Sequence, residues 1–298
     1  MHPRLPEMAA AAKAAGSTVG ITTNGDLLAD AVDWVVAERI DLVTVSVAGD
    51  ATTHAALRSG SRLGRIWEAV ERLAARRGER RQPTIKVSYL LTARNPKALP
   101  EVVRAAADAG ADELFVTHVD CTPSPELLGM AAFDGPRLRP EAGEAIAAAA
   151  RVAGASGIRF RPPALARQEL LVCASDPLRF AFVARDGRVG PCANLLLPVR
   201  GPIPRWGEDG VTHVEPVVFG DLARNGLGEI LGGGRYRRFA ASFASRLAIE
   251  GRFLGDVVDR RGTRALAAID EADHRREDEL AANPFPEQCR GCHKATGW

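Results

Sequence analysis

The stretch Phe180-Ala-Phe-Val-Ala-Arg-Asp-Gly-Arg-Val-Gly-Pro-Cys192 reads as a β-hairpin: an apolar run, an Asp-Gly turn, then Val189 and a cysteine. Such a hairpin carries Cys192 back to the side where Cys173 enters. Gly187 lies between the two cysteines, and far downstream stands Cys289-Arg-Gly-Cys292. A thiolate is the soft ligand that selects zinc or iron–sulfur clusters, and a cubane takes four thiolates converging from separate loops. One structural zinc would use the same four. Zinc ribbons usually show two C-x-x-C knuckles, whereas here the 289–292 pair alone has that spacing. Disulfides are disfavoured, because nothing at the N-terminus marks export and cytosolic thiols stay reduced. The fifth cysteine, Cys121, stands alone between Asp120 and Thr122, and a buried free thiol is its default reading.

The chain around this framework is 298 residues long, 46% apolar and 26% charged, with a formal net charge of +2. That is room for one large or two medium soluble domains, and the near balance of charge gives no reason to expect nucleic acid or an anionic membrane as partner. No run approaches the length of a bilayer span. The Ala-rich start at 8–15 contains Lys13 and makes a better helix than signal peptide, so a cytoplasmic location is expected. The arginines at 76–77 and 80–81 follow a helix and read as a solvated cap.

From residue 1 to about 162 helical and extended patterns alternate, which argues for a parallel α/β sheet. Helices are expected at about 4–15, after Asp26 as N-cap, from Leu63 through Leu73, after Asn95 as N-cap, and from Pro140 to about 153. Strands are expected at Thr18–Thr22, Leu42–Val47, Ile85–Leu91, Glu113–Val119 and 157–160, with the second buried on both faces. Trp67 falls on an apolar stripe and reads as core. Arg161-Pro-Pro163 marks a boundary between residues 1–163 and 164–298. Beyond it come short strands, a Pro/Gly-rich loop at 198–210 and a charged helix at about 264–280. Gly232-Gly-Gly234 lacks the lysine of a phosphate loop and reads as a helix boundary.

Cys173, Gly187, Cys192 and the terminal Cys289-x-x-Cys292 resemble the SPASM-type extension of radical S-adenosylmethionine (SAM) enzymes, in which such cysteines ligate auxiliary [4Fe-4S] clusters. Two-cluster versions continue with further cysteines; here four ligands, Cys173, Cys192, Cys289 and Cys292, allow one. The N-terminal half resembles the middle of a radical SAM core: Thr22-Thr-Asn-Gly25 ends one strand, Ser46-Val-Ala-Gly49 the next, and Arg58 follows. The resemblance implies a partial parallel (βα) barrel without its first two strands, joined to a small cysteine-rich α+β domain. It makes Ser46 and Arg58 SAM contacts, with Asn24 beside them. Arginine suits the role because its planar fork binds a carboxylate bidentately. The aspartate of the family's V-S-x-D-G is Ala48 here. The C-x-x-x-C-x-x-C loop, which holds the SAM-cleaving cluster, does not occur, so no catalytic residue is assigned.

Two functions follow as expectations. One is the C-terminal part of a radical SAM/SPASM maturase, modifying a peptide, a protein side chain or a cofactor precursor through a 5′-deoxyadenosyl radical, and served by a flavodoxin or ferredoxin. The other is a non-catalytic iron–sulfur or zinc module that recognises substrate for another subunit. A sulfatase-maturing role is disfavoured, because Ala193 stands where those relatives carry a basic aspartate. The unpaired edge of the first strand is expected to make residues 1–298 alone prone to aggregate.

Overall fold

The computed structural model describes residues 2–135, 137–207, 210–258 and 265–297, with the side chains of Arg80 and of 265–268 outside that description. It forms two compact units. The first comprises residues 1–119 and 129–165, the second residues 120–128 and 166–298.

In the first unit five strands form one parallel sheet in sequential order: β1 (Gly20–Thr23), β2 (Leu42–Val47), β3 (Thr84–Leu90), β4 (Glu113–Thr117) and β5 (Arg159–Arg161). Helices α1 (Leu5–Ala14), α2 (Leu28–Ala37), α3 (Ala51–Leu57), α4 (Leu63–Arg77), α5 (Leu99–Asp108) and α6 (Pro140–Ser156) alternate with them. Ile66, Val70 and Leu73 of α4 and Val102, Val103 and Ala106 of α5 are buried against Val43, Val45, Val87 and Leu114 of the sheet, with Trp67 packed on the same core.

The other face of the sheet is different. Register aligns Thr22 with Thr44, Thr44 with Lys86, Ser46 with Ser88, and Lys86 with Glu113. With side chains alternating across a strand, this face carries Thr44, Ser46, Lys86, Ser88 and Glu113, while Val43, Val45 and Val47 point into the core. The expectation that β2 is buried on both faces holds at Thr44 and only in part at Ser46, which is half-buried; helices cover one face and polar side chains line the other, as on the inner wall of a barrel.

Acidic residues lock the amino ends of the strands. Asp41, just before β2, accepts the Val19 N–H at 2.7 Å and pairs with Lys13 at 2.8 Å. Asp112, just before β4, accepts the Ile85 N–H at 2.8 Å and takes both guanidinium nitrogens of Arg77. Arg77 is buried and also donates to the carbonyls of Pro83 and Gly110. It is a clamp under the sheet and not the solvated cap expected from the arginine run.

The second unit is built from short strands and long helices. Strands β6 (Phe182–Val183) and β7 (Arg188–Gly190) form the expected hairpin, and Gly187 turns it at φ 88°, a value that favours glycine. Residues 198–210, expected as loop, contain β8 (Ile203–Gly207), which pairs antiparallel with β9 (Gly210–Val214). The proline and glycines concealed it, although Pro204 is compatible with a two-stranded ribbon that has an open edge. A further short strand, β10 (Gly220–Asp221), joins β7. Helix α7 (Leu227–Gly232) ends in the Gly triplet, from which the 25-residue α8 (Gly234–Val258) starts. Helix α9 (Ala265–Ala282) is the charged helix; residue 264 lies outside the described residues.

Candidate metal centre and cofactor loops

Four chain segments bring the cysteines of the second unit together. Residues 168–174 run beside 294–296, with Gln168 N–H bonded to Thr296 O, Leu170 N–H to Ala295 O and Ala174 N–H to Lys294 O. This ladder sets Cys173 against the terminal pair. The β6–β7 hairpin delivers Cys192. The terminal loop is a tight turn in which Cys292 N–H bonds to Cys289 O at 3.1 Å, with Gly291 at φ 66°. Arg205 of β8 grips that turn from outside, donating to the carbonyls of Arg290 at 3.0 Å and Gln288 at 3.1 Å.

A second arginine, missed in the sequence, secures the approach to two cysteines. Arg246 of α8 is 2% exposed. It donates to Leu171 O at 3.1 Å, ahead of Cys173, and to Asn283 O at 2.9 Å, ahead of Cys289, while its guanidinium lies 4.2 Å from the Phe285 ring centroid. An aromatic ladder of Phe219, Phe239, Phe243 and Phe285, with adjacent ring centroids 5.5–5.6 Å apart, backs the site. Cys289 is buried in this cluster, and Cys173, Cys192 and Cys292 pack against it.

All four thiols are free. Burial pushes the Cys192 thiol up to about 11, with Cys292 and Cys173 adding to the rise. Burial also raises Cys289, and Cys292, Cys173 and Cys192 raise it further. Each sulfur therefore lies within electrostatic reach of the others. The backbone after two of them folds back: Asp176 N–H bonds Cys173 O at 2.8 Å and Leu195 N–H bonds Cys192 O at 3.3 Å, and the nearby backbone of Ser175, Asp176, Leu195 and Asn194 favours the two thiolates. Lys294, paired to Asp120 at 2.8 Å, supplies positive charge beside Cys192 and Cys292.

These features fit a cluster ligated by four thiolates. A cation nearby, Lys294, offsets negative charge that such a group brings into an apolar site. A single tetrahedral zinc, with Zn–S bonds of about 2.3 Å, would gather its sulfurs to about 3.8 Å. Among the described residues no three His, Cys, Asp or Glu side chains are grouped as one metal ion requires.

In the first unit the candidate cofactor residues lie at the carboxyl ends of β1 and β2, where α/β sheets place ligands. Ser46 is half-buried on the polar face. Asn24 is exposed, and its amide donates to Asp26 at 2.7 Å. Arg58 ends α3, half-buried; burial disfavours its charge while Asp26 favours it, and its guanidinium makes no hydrogen bond or ion pair with another described residue. Asp26 does not cap α2, as expected: its carboxylate is engaged by Asn24 and by the hydroxyl of Ser61 at 2.7 Å.

Two buried residues that the sequence reading did not single out for this site hold the β2 loop. His54 accepts the Ala48 N–H at 3.2 Å through Nδ1, and its Nε2 lies 3.1 Å from Ser61 Oγ. Asn95 donates to Ala48 O at 3.1 Å and Leu90 O at 2.8 Å, and accepts the Thr92 N–H at 2.7 Å. It stands, as expected, at the N-cap of the helical turn Pro96–Ala98, but its side chain makes no cap bond and ties the ends of β2 and β3. At Gly49, φ 137°, an added Cβ would meet Thr53 Cβ at 2.7 Å, so this turn requires glycine. The backbone of Ala48 is thus fixed from both sides even though the family's aspartate is absent.

Residues 173–250 match the SPASM family, an iron–sulfur cluster-binding domain. The tungsten-containing aldehyde ferredoxin oxidoreductase cofactor-modifying protein of Pyrococcus furiosus is 29% identical over 244 residues, which are 80% of this chain and 66% of that protein. Streptococcus suis SuiB, solved bound to S-adenosylmethionine, has a similar fold, with TM-score 0.50 and 12% identity over 78% of this chain and 52% of SuiB. The chain therefore spans just under two thirds of the length of the one and about half of the other. No helix of the described residues is long and apolar enough to cross a membrane. The second unit thus contains a SPASM-type iron–sulfur cluster-binding domain over residues 173–250, and the chain shares the fold of SuiB.

Proposed function

We propose that the chain is part of a maturase that modifies a cofactor precursor, a peptide or a protein side chain by SAM-derived radical chemistry, and that it holds one auxiliary [4Fe-4S] cluster on Cys173, Cys192, Cys289 and Cys292. The observation that carries this reading is the packing of four free thiols on one apolar cluster, with Lys294 beside two of them. The similarity to a cofactor-modifying protein favours a cofactor precursor as substrate.

When bound, such a cluster accepts or donates one electron, at a potential set by charge, burial and hydrogen bonds to its sulfurs. The chain's own residues do the rest. Lys294 and Arg205 place positive charge near the thiolates, and the Phe219–Phe285 ladder excludes water from them. In the first unit Arg58 is placed to hold a carboxylate such as that of SAM. Ser46 offers a hydroxyl on the polar face, and Asn24 a polar amide at the rim. A small ferredoxin or flavodoxin is the proposed electron donor, and the cytoplasm the proposed location.

The experiment is anaerobic reconstitution with iron and sulfide, followed by calorimetry with SAM. About four iron and four sulfide per chain are expected. One tight zinc per chain and no absorbance near 400 nm would replace this reading with a non-catalytic metal-binding module.

A further inference from the structure

We propose that Cys121 is a fifth thiol of the cluster site, able to take the place of Cys292 on one iron. The proposal rests on the reading that the four cysteines hold a cluster. In sequence Cys121 lies 52 residues before Cys173, yet residues 120–128 belong to the thiol-bearing unit.

Both neighbours of Cys121 are pinned to that site. Asp120 pairs with Lys294, two residues past Cys292, at 2.8 Å, and its carbonyl accepts from Asn194, two residues past Cys192, at 3.2 Å. Thr122 exchanges two hydrogen bonds with the backbone of Trp206, at 2.8 and 2.7 Å, and so extends the β8–β9 ribbon. Between these anchors Cys121 and Cys292 line one small cavity with Arg205 and Asn194. Cys292 in turn packs, with Cys173 and Cys192, against the apolar cluster that holds Cys289.

Cys292 is thus the corner of the site at which a spare thiol stands, with Arg205 lining the same cavity. The exchange is a ligand substitution: an iron–sulfur bond to Cys121 forms as the bond to Cys292 breaks, and the proton of Cys121 passes to the departing thiolate. No electron is gained or lost. A corner that can release its cysteine without losing the cluster would open one iron to an incoming ligand.

The test uses the chain reconstituted anaerobically as wild type, C121A, C292A, C292S, C289A and C121A/C292A, with folding checked by circular dichroism. Wild type and C121A should carry about four iron each. C292A should retain most of its iron with an altered reduction potential, the double variant should lose nearly all, and C289A should lose it despite Cys121. C292S, close to cysteine in size, decides the matter if C292A misfolds. Iodoacetamide with peptide mapping gives a second readout: Cys121 should be alkylated in the loaded wild type and protected in loaded C292S. Loss of iron in C292A or C292S equal to that of the double variant would overturn the proposal, as would equal alkylation of Cys121 in both loaded forms. Failure of the wild type to take a cluster would overturn the parent reading as well.

Discussion

Arg246 should be the residue on which assembly of the thiol site depends most, and Arg246→Met isolates it by keeping an unbranched stem and deleting the guanidinium. Five acceptors lose a donor: the carbonyls of Leu170, Leu171, Leu280 and Asn283, and Glu169, with the shortest carbonyl contact at 2.9 Å. Glu169 is 63% exposed in its side chain and returns to water at little cost, so the ion pair contributes little. The buried carbonyls decide the outcome. Hydrogen bonds to a charged donor contribute about 1.5–3 kcal/mol each but are not additive here, and the desolvation cost of the guanidinium disappears with it, which leaves a net loss of about 3 kcal/mol. With a urea m-value of about 2 kcal/mol/M, that lowers the midpoint by about 1.5 M. Urea unfolding followed by circular dichroism measures this, and iron content of the reconstituted variant should fall by more than half, because the segments entering Cys173 and Cys289 are no longer tied. Glu169→Gln should change the midpoint by less than a quarter as much. An Arg246→Met protein within about 1 kcal/mol of wild type and fully loaded with iron would refute the clamp.

Other expectations follow from the first unit. Asn95→Ala removes three buried hydrogen bonds and should cost about 3 kcal/mol, read by urea unfolding; it should also weaken SAM binding by releasing Ala48, whereas unchanged affinity would separate Asn95 from the cofactor loop. Arg58→Ala should weaken SAM binding by about 1.5–3 kcal/mol, measured by calorimetry, and an unchanged constant would remove Arg58 from the site. Burial pushes the Asp112 carboxyl up, but hydrogen bonds from Arg77, Ile85 N–H and Arg81 outweigh it and hold it below the usual carboxylate range. Its contribution is therefore complete above the unfolded value of about 3.9 and is lost as pH falls through the lower folded value. Arg77→Leu should be less stable at pH 7 and lose less on acidification than wild type; parallel urea midpoints from pH 7 to 3 would contradict this.

Much of the fold was legible because local pattern and tertiary structure agree. The Leu42–Val47 strand and the α4 stripe fall where the sequence periodicity puts them, and the Asp186-Gly187 turn closes the hairpin. The misses share one cause. Asp26 and Arg77 were read by local rules for caps and solvated ends, while each is held by a partner 35 residues away; Asn95 keeps its N-cap place, but its side chain bonds a carbonyl 47 residues away. Sequence spacing carries no sign of such partners. Arg246 and Cys121 were overlooked or set aside for the same reason: the carbonyls that Arg246 holds lie 34 to 76 residues away, and Cys121 shares its cavity with the distant Arg205 and Cys292. The four thiols were legible because Cys192 follows a short hairpin and Cys289 and Cys292 share one tight turn, and only the mutual placement of the four needed the structure.

The account rests on those four thiols sharing one iron–sulfur cluster, and Mössbauer spectroscopy of the chain reconstituted with ⁵⁷Fe tests it most directly. One diamagnetic [4Fe-4S]²⁺ signal is expected, with about four iron per chain, lost on Cys192→Ala or Cys289→Ala. Adventitious ferric iron alone, with stoichiometric zinc retained on the same four cysteines, would contradict it.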